Sequence, residues 1–169
     1  MSDDIRVLIN QYRSKGILVD TNILLLYFVG AANPKRIQKF NRTEQFDPRD
    51  YELLVSSFRF FERIVTTPNI LTEVYNLINQ IGEPDRYQCL IEVARLITQL
   101  EKFEESYIGS REIVELPSFP VFGLTDGGIE QLARDQYLVL TDDLKLANHL
   151  LSGGIDVLNF NNLRVYNWT

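Results

Sequence analysis

The chain has 169 residues, of which 45% are hydrophobic and 24% are charged, and its formal net charge is -6 at pH 7. This length and composition predict a single folded domain, residues 1–169, and they exclude a disordered chain. The longest apolar stretch, Ile23 to Val29, is far shorter than the roughly 20 residues of a membrane-spanning helix, and no signal peptide is recognisable. We therefore expect a soluble, cytoplasmic protein.

The first part of the chain predicts a helix, a buried strand and a second helix. Residues 1–15 place apolar side chains at helical spacing and should form an N-terminal helix that docks on the domain. The run 17–20 is short, apolar and ends in a carboxylate, which is typical of a strand buried on both faces. A helix over 22–29 follows, and then residues 30–63 form a basic loop and helix segment.

The middle of the chain predicts a strand followed by two helices. Residues 64–66 form the strand, and Thr67 with Pro68 supplies an N-cap and a proline at the first helical position. We expect residues 68–106 to form an antiparallel helical hairpin. Residues 109–123 are rich in glycine and proline and are expected to be a loop with a short extended piece.

The last part of the chain alternates regularly between helix and strand. Helices are predicted at 126–134 and 143–151, and strands at 137–141 and 156–160. This alternation predicts an α/β fold, a three-layer sandwich with a mostly parallel central sheet of about four or five strands.

Four carboxylates occupy positions where such a sheet builds its sites. Asp20 ends the first strand, Glu73 lies on or beside the buried face of a helix, and Asp126 and Asp143 begin helices. Sites in parallel sheets lie beyond the carboxyl ends of the strands, where Asp20 and Asp143 fall. Each residue alone also has an ordinary interpretation, as a helix cap or a solvent-facing side chain, so the prediction depends on all four together.

Like charges that converge on one pocket favour a bound cation. A buried carboxylate takes up a proton or pairs with a positive charge, and oxygen ligands suit hard ions such as Mg²⁺ or Mn²⁺. The sequence therefore predicts a metal site made by Asp20, Glu73, Asp126 and Asp143.

The residues around these carboxylates resemble the motifs of the PIN-domain nuclease family. The resemblance extends from residue 17 to about residue 160, and each motif is short. The motifs are Val19, Asp20, Thr21, Asn22; Leu71, Thr72, Glu73, Val74; Leu124, Thr125, Asp126 with Ala133; and Leu140, Thr141, Asp142, Asp143.

This resemblance implies a metal-dependent phosphodiesterase that acts on RNA, an endoribonuclease with the four carboxylates as its catalytic and metal-binding cluster. It also implies that Thr21, Asn22 and Thr141 orient those carboxylates. Asp143 matches the family pattern of threonine, any residue, aspartate, while its neighbour Asp142 is the alternative fourth ligand.

The function has alternatives that the sequence leaves open. Small PIN-family members are often toxins paired with an antitoxin protein, but the added N-terminal helix and the longer segment 30–63 depart from that pattern. A nuclease acting on DNA and a non-catalytic binding or assembly module are the other candidates, and a homodimer is also open. A phosphatase that phosphorylates Asp20 is not favoured, because its second aspartate would stand where this chain has Asn22.

The single histidine and the single cysteine do not suggest catalysis. His149 lies mid-helix beside leucines, which excludes a nuclease based on a histidine pair and favours a structural role. Cys89 lies in a helical stretch, can form no internal disulfide and should be a small packed hydrophobe.

The negative net charge argues at first against a nucleic-acid partner. If four carboxylates bind metal, the remaining charge is nearly balanced, and residues 35–63 have a local excess of two positive charges. We expect Lys35, Arg36 and Lys39 in this segment to border the acidic pocket and hold phosphates, although an ordinary solvated surface is the alternative.

Overall fold

The computed structural model describes residues 3–167 and contains one sheet of five parallel strands. In chain order these are β1 (Ile17–Val19), β2 (Ile64–Thr66), β3 (Phe103–Glu105), β4 (Leu138–Thr141) and β5 (Val157–Asn159). The spatial order is β3-β2-β1-β4-β5, so β1 is central, and Leu18 pairs with Val65 on one side and Val139 on the other. The predicted α/β fold with a mostly parallel sheet is confirmed.

The helices connect these strands. They are α1 (Asp3–Tyr12), α2 (Thr21–Ala32), α3 (Pro48–Phe58), α4 (Pro68–Ile78), α5 (Asp85–Gln99), α6 (Ser110–Val114), α7 (Phe119–Ala133), α8 (Leu144–Ser152) and α9 (Phe160–Asn167), with a 3-10 helix at Pro34–Lys39. No helix within residues 3–167 combines the length and the apolar composition needed to cross a membrane.

The sheet lies between layers of helices. Every residue of β1, β2 and β4 is buried, which a strand achieves only when both faces of the sheet are covered. Because the strands are parallel, their carboxyl ends share one edge of the sheet, and each helix that follows a strand begins at that edge. This geometry brings the starts of α2, α4 and α8 together.

Several helix starts follow the local chemistry expected from the sequence. The Thr67 hydroxyl accepts a hydrogen bond from the backbone N–H of Ile70 at 3.2 Å, and Pro68 takes the first helical position of α4. Asp20 and Asp143 cap α2 and α8 in the same way. The predicted helix starts are thus confirmed at the edge of the sheet where the carboxylates lie.

The structure differs from the sequence prediction between residues 103 and 123. Residues 109–123 are not a loop, because α6 and the first turn of α7 lie there. The backbone of Gly123 has φ 73° inside α7, a conformation that glycine adopts readily, and it separates a proline-containing first turn from the rest of the helix. The strand β3 and the helix α9 were also not predicted.

Candidate functional site

Asp20 lies at the carboxyl end of β1 and caps α2, and only 5% of its surface is exposed. Its Oδ1 accepts a hydrogen bond from the backbone N–H of Thr21 at 2.6 Å, and its Oδ2 accepts one from the Thr141 hydroxyl at 2.6 Å. Burial raises the pKa of Asp20 to about 6, the charges of Asp142 and Asp143 add to the rise, and the two hydrogen bonds oppose it. The side chain is therefore fixed in orientation while its charged form is destabilised.

Glu73 lies on α4, beside the face that buries Ile70 and Val74, and it is exposed to solvent. Two threonine hydroxyls donate hydrogen bonds to its carboxylate. Thr21 Oγ1 lies 3.0 Å from Oε2, and Thr125 Oγ1 lies 2.5 Å from Oε1. Since Thr21 follows Asp20 and Thr125 precedes Asp126, Glu73 links the elements that carry the two aspartates.

Asp126 lies on α7 just beyond the kink at Gly123 and is half-buried. Burial is the largest cause that raises its pKa to about 7, and the charges of Asp20, Glu73 and Asp143 raise it further. The four predicted carboxylates are thus close enough to act on one another electrostatically. Four separate parts of the chain, at β1, α4, α7 and the β4–α8 junction, supply them.

Asp142 and Asp143 both lie at this edge of the sheet, in different surroundings. Asp143 is exposed, and its Oδ1 accepts hydrogen bonds from two backbone N–H groups of α8 at 2.7 and 3.0 Å. Asp142 is half-buried, and the side chains of Asn22 and Gln45 hydrogen-bond to its carboxylate. Burial raises the pKa of Asp142, although these hydrogen bonds oppose the rise. Asp143 acts on both Asp20 and Asp126, which favours it as the fourth member of the cluster.

The donor set fits a hard divalent cation in its chemistry. It consists of carboxylates, and two of them hold their charge at a free-energy penalty that a cation would relieve. Within residues 3–167, no three acidic, histidine or cysteine side chains lie close enough together to bind one ion directly. Mg²⁺ commonly keeps several of its waters and takes only one or two carboxylates directly, so the other carboxylates would reach the ion through its waters.

Close packing by glycine positions Asp126. A Cβ atom at Gly127 would lie 2.7 Å from Cγ2 of Ile113, which is completely buried. The lack of a side chain at Gly127 therefore lets α6 lie directly against α7. Because Gly127 is adjacent to Asp126, the same contact positions the backbone of Asp126 relative to α6.

Lys35, Arg36 and Lys39 do not border the carboxylate cluster as predicted, although Gln45 of the same segment contacts Asp142. The helix α2 begins beside Asp20 and leads away from it for 12 residues, or roughly 18 Å, before the 3-10 helix begins. Lys35, Arg36 and Lys39 therefore lie at the opposite end of α2, where Arg36 pairs with Asp85 at 2.9 Å. The sequence shows an excess of positive charge, but the direction of α2 separates it from the site.

The histidine and the cysteine are held in structural contacts. The Nε2 atom of His149 lies 2.8 Å from a carboxylate oxygen of Glu130, and its ring stacks on Phe122 with 4.3 Å between the centroids. Cys89 is buried, and burial raises the pKa of its thiol to about 12. Cys89 is therefore a packed apolar residue, as predicted.

Four polar interactions at the site were not predicted from the sequence. They are the Thr125 hydrogen bond to Glu73, the contacts of Gln45 and Asn161 with Asp142, and the position of Lys145 close enough to lower the pKa of Asp126. The sequence contained a signal for Thr125, because in three of the motifs a threonine lies directly next to the acidic residue, as Thr125 does next to Asp126. Gln45 and Asn161 have no comparable signal, since only the fold brings them to Asp142.

No protein-family model, curated protein or solved structure matches this chain. The likeness to PIN-domain nucleases therefore rests on the short sequence motifs.

Proposed function

We propose that this protein is a metal-dependent endoribonuclease that hydrolyses RNA phosphodiester bonds at a pocket formed by Asp20, Glu73, Asp126 and Asp143. The proposal includes Mg²⁺ or Mn²⁺ as the cofactor. RNA as the substrate follows from the resemblance to the PIN-domain nucleases, and the metal follows from the carboxylates themselves.

The observation that carries the proposal is the state of Asp126. Its carboxylate is half-buried, and burial together with the charges of the other carboxylates raises its pKa to about 7. The Thr125 hydroxyl beside it and the Thr21 hydroxyl beside Asp20 both donate hydrogen bonds to Glu73. A fold maintains such repulsion only at a loss of stability. A site that binds a divalent cation explains why these charges are kept together.

The side chains of the site supply orientation and charge. The Thr141 hydroxyl orients Asp20, and the hydroxyls of Thr21 and Thr125 orient Glu73. Backbone amides of α8 donate hydrogen bonds to Oδ1 of Asp143, which leaves its Oδ2 to face the pocket or solvent. When bound, a divalent ion would provide Lewis acidity at the phosphate and lower the pKa of a coordinated water.

A protein nucleophile is not favoured by the described residues. The Cys89 thiol is buried with a raised pKa, and His149 is committed to Glu130 and Phe122. Water is therefore the expected nucleophile, and the carboxylates are its expected orienting groups.

The test is cleavage of structured and single-stranded RNA with and without Mn²⁺, using the parent and two aspartate variants. Asp126→Asn removes one charge of the pocket. Asp135→Asn is the matched control, because Asp135 is exposed just past the other end of α7, and asparagine tolerates its positive φ of 59°. The parent and Asp135→Asn should cleave RNA only with metal, and Asp126→Asn should lose the activity.

Other results would assign a different function. Cleavage that persists undiminished with EDTA or in Asp126→Asn would rule out this mechanism. Cleavage of DNA but not RNA would support the metal-dependent chemistry and show that the substrate is DNA. Metal-independent RNA binding without cleavage would favour the binding-module alternative.

A toxin role is a separate part of the proposal. The 3-10 helix and α3 pack on α2, so residues 30–63 cover part of the surface of α2. Growth arrest of a bacterial host by the parent, but not by Asp126→Asn, would support the toxin assignment. Normal growth during expression of an active enzyme would contradict it.

A further inference from the structure

Lys145 is an exposed cation that follows Asp143 of the carboxylate cluster by two residues. It lies in the first turn of α8, where its backbone N–H donates a hydrogen bond to Asp143 Oδ1 at 2.7 Å. Its side chain is exposed, and α8 begins at the same edge of the sheet as α2, which Asp20 caps. Within residues 3–167, however, Lys145 forms no ion pair with any carboxylate.

An aromatic ring holds Lys145 instead. The Nζ atom lies 5.0 Å from the centroid of the Phe122 ring, which itself stacks on His149. His149 contacts Glu130 Oε2, and the Ser118 hydroxyl donates a hydrogen bond to the same oxygen at 2.5 Å. These contacts hold Phe122 of α7 against α8, where its ring contacts the ammonium group of Lys145.

We propose that Lys145 binds a backbone phosphate of the polynucleotide where it enters the pocket, and that Phe122 positions its ammonium group for that contact. The inference rests on the proposed function, because the carboxylates alone would repel a polyanion. A lysine ammonium is a flexible point charge with three donors, which suits phosphate oxygens. A cation–π contact at an exposed position is weak, so the ammonium group can leave the Phe122 ring for a phosphate.

Lys15 provides a matched control. Its Nζ atom also lies over an aromatic ring, 5.2 Å from the centroid of Tyr12, but it precedes β1 and therefore lies at the opposite edge of the sheet. Lys15→Met and Lys145→Met thus remove the same charge and the same kind of contact. Only the second variant changes the pocket.

The test measures binding and cleavage separately. Binding of a short, fluorescein-labelled single-stranded RNA is followed over a range of salt concentrations, with Ca²⁺ replacing Mn²⁺ to slow turnover. Lys145→Met should weaken binding about 10-fold, as expected for a hydrogen bond to a charged group, and reduce the slope of log affinity against log salt by about 0.7. In Mn²⁺ it should raise KM by a similar factor and change kcat little.

The other variants separate phosphate binding from a general effect. Lys145→Arg should retain most of the affinity, and Lys15→Met should bind like the parent. Phe122→Leu should weaken binding about 3-fold, and the double variant with Lys145→Met should bind no more weakly than Lys145→Met alone. An unchanged affinity and salt slope in Lys145→Met, or no RNA binding by the parent, would overturn the inference. Binding that depends on Lys145 without any cleavage would support the inference while the nuclease proposal fails.

Discussion

Asp126 illustrates how single residues set the properties of the pocket. With a pKa of about 7, its carboxyl group carries roughly half a proton at neutral pH. In the unfolded chain its pKa would be near the ordinary aspartate value of 3.8. The folded protein therefore binds this proton more tightly, and its stability falls as pH rises from about 4 through about 7.

Replacing Asp126 by asparagine should remove this loss of stability. In EDTA, Asp126→Asn should have a higher free energy of unfolding than the parent at about pH 8, by about 1–2 kcal/mol, and nearly the same value at about pH 4. Urea unfolding at both pH values measures the difference. Asp135→Asn should follow the parent throughout, and a parent that matches Asp126→Asn at high pH would contradict the raised pKa.

The Thr141 hydroxyl should matter more than its methyl group. It is completely buried, donates to Asp20 at 2.6 Å and accepts the backbone N–H of Asp143 at 3.0 Å. Thr141→Val should weaken Mn²⁺ affinity by about 10- to 100-fold, because Asp20 loses its orienting partner, whereas Thr141→Ser should stay near the parent. Calorimetric titration measures both, and equal affinity in the valine and serine variants would refute this role.

Sequence reasoning could identify the carboxylates but only part of their surroundings. Asp20 and Asp143 follow apolar strands, and this position can be recognised along the chain. The hydrogen bond from Thr125 to Glu73 joins residues 52 apart, and only the packing of α4 near α7 creates it. The exposure of Glu73 is likewise decided by where its helix packs.

At the scale of elements, the α6–α7 contact supports the site. Gly127→Ala would place a Cβ atom 2.7 Å from Ile113 Cγ2 and should destabilise the protein by about 1–3 kcal/mol while lowering activity. Gly82→Ala is the control, because no atom lies within 4 Å of its added Cβ. Thermal unfolding and RNA cleavage measure the two effects. Recovery of stability and activity when Ile113→Ala is added to Gly127→Ala would confirm the steric cause.

The elements missed by sequence reasoning have weak local signals. The strand β3 has the sequence Phe103, Glu104, Glu105 and lies at the edge of the sheet, so it lacks the apolar run of the central strands. Glycine and proline between 109 and 123 normally indicate a loop. Here proline lies near a helix start and Gly123 provides a kink, so the same residues are compatible with helix.

At the scale of the whole molecule, α9 fastens the end of the described chain to α3. Arg164 Nε donates to Asp50 Oδ1 at 2.8 Å, and Asp50 is completely buried. Arg164→Met should destabilise the fold by about 3–5 kcal/mol, because it leaves a buried charge without its partner.

A surface pair provides the comparison for Arg164. Arg63 and Glu104 also form an ion pair, but their side chains are 37% and 40% exposed. Arg63→Met should therefore cost less than about 1 kcal/mol of unfolding free energy. Urea unfolding of both variants tests the difference, and similar losses would show that burial does not determine these contributions.

The placement of charge over the whole molecule could not be obtained by counting residues. Lys35, Arg36 and Lys39 follow Asp20 closely in sequence, yet the length of α2 lies between them and Asp20. Lys145, which is a single cation with no basic neighbours in sequence, is the one that acts on Asp126. Proximity to the pocket is set by the direction of each helix from the sheet.

Titration of Mn²⁺ into the protein by calorimetry, near neutral pH and in buffers of different ionisation enthalpy, tests whether the four carboxylates form a cation site. The parent and Asp135→Asn should bind Mn²⁺ and release about half a proton, because the ion displaces the proton held by Asp126. Asp126→Asn should bind more weakly and release fewer protons. No binding by the parent, or binding by Asp126→Asn with the same affinity and proton release, would contradict the metal site and the nuclease mechanism based on it.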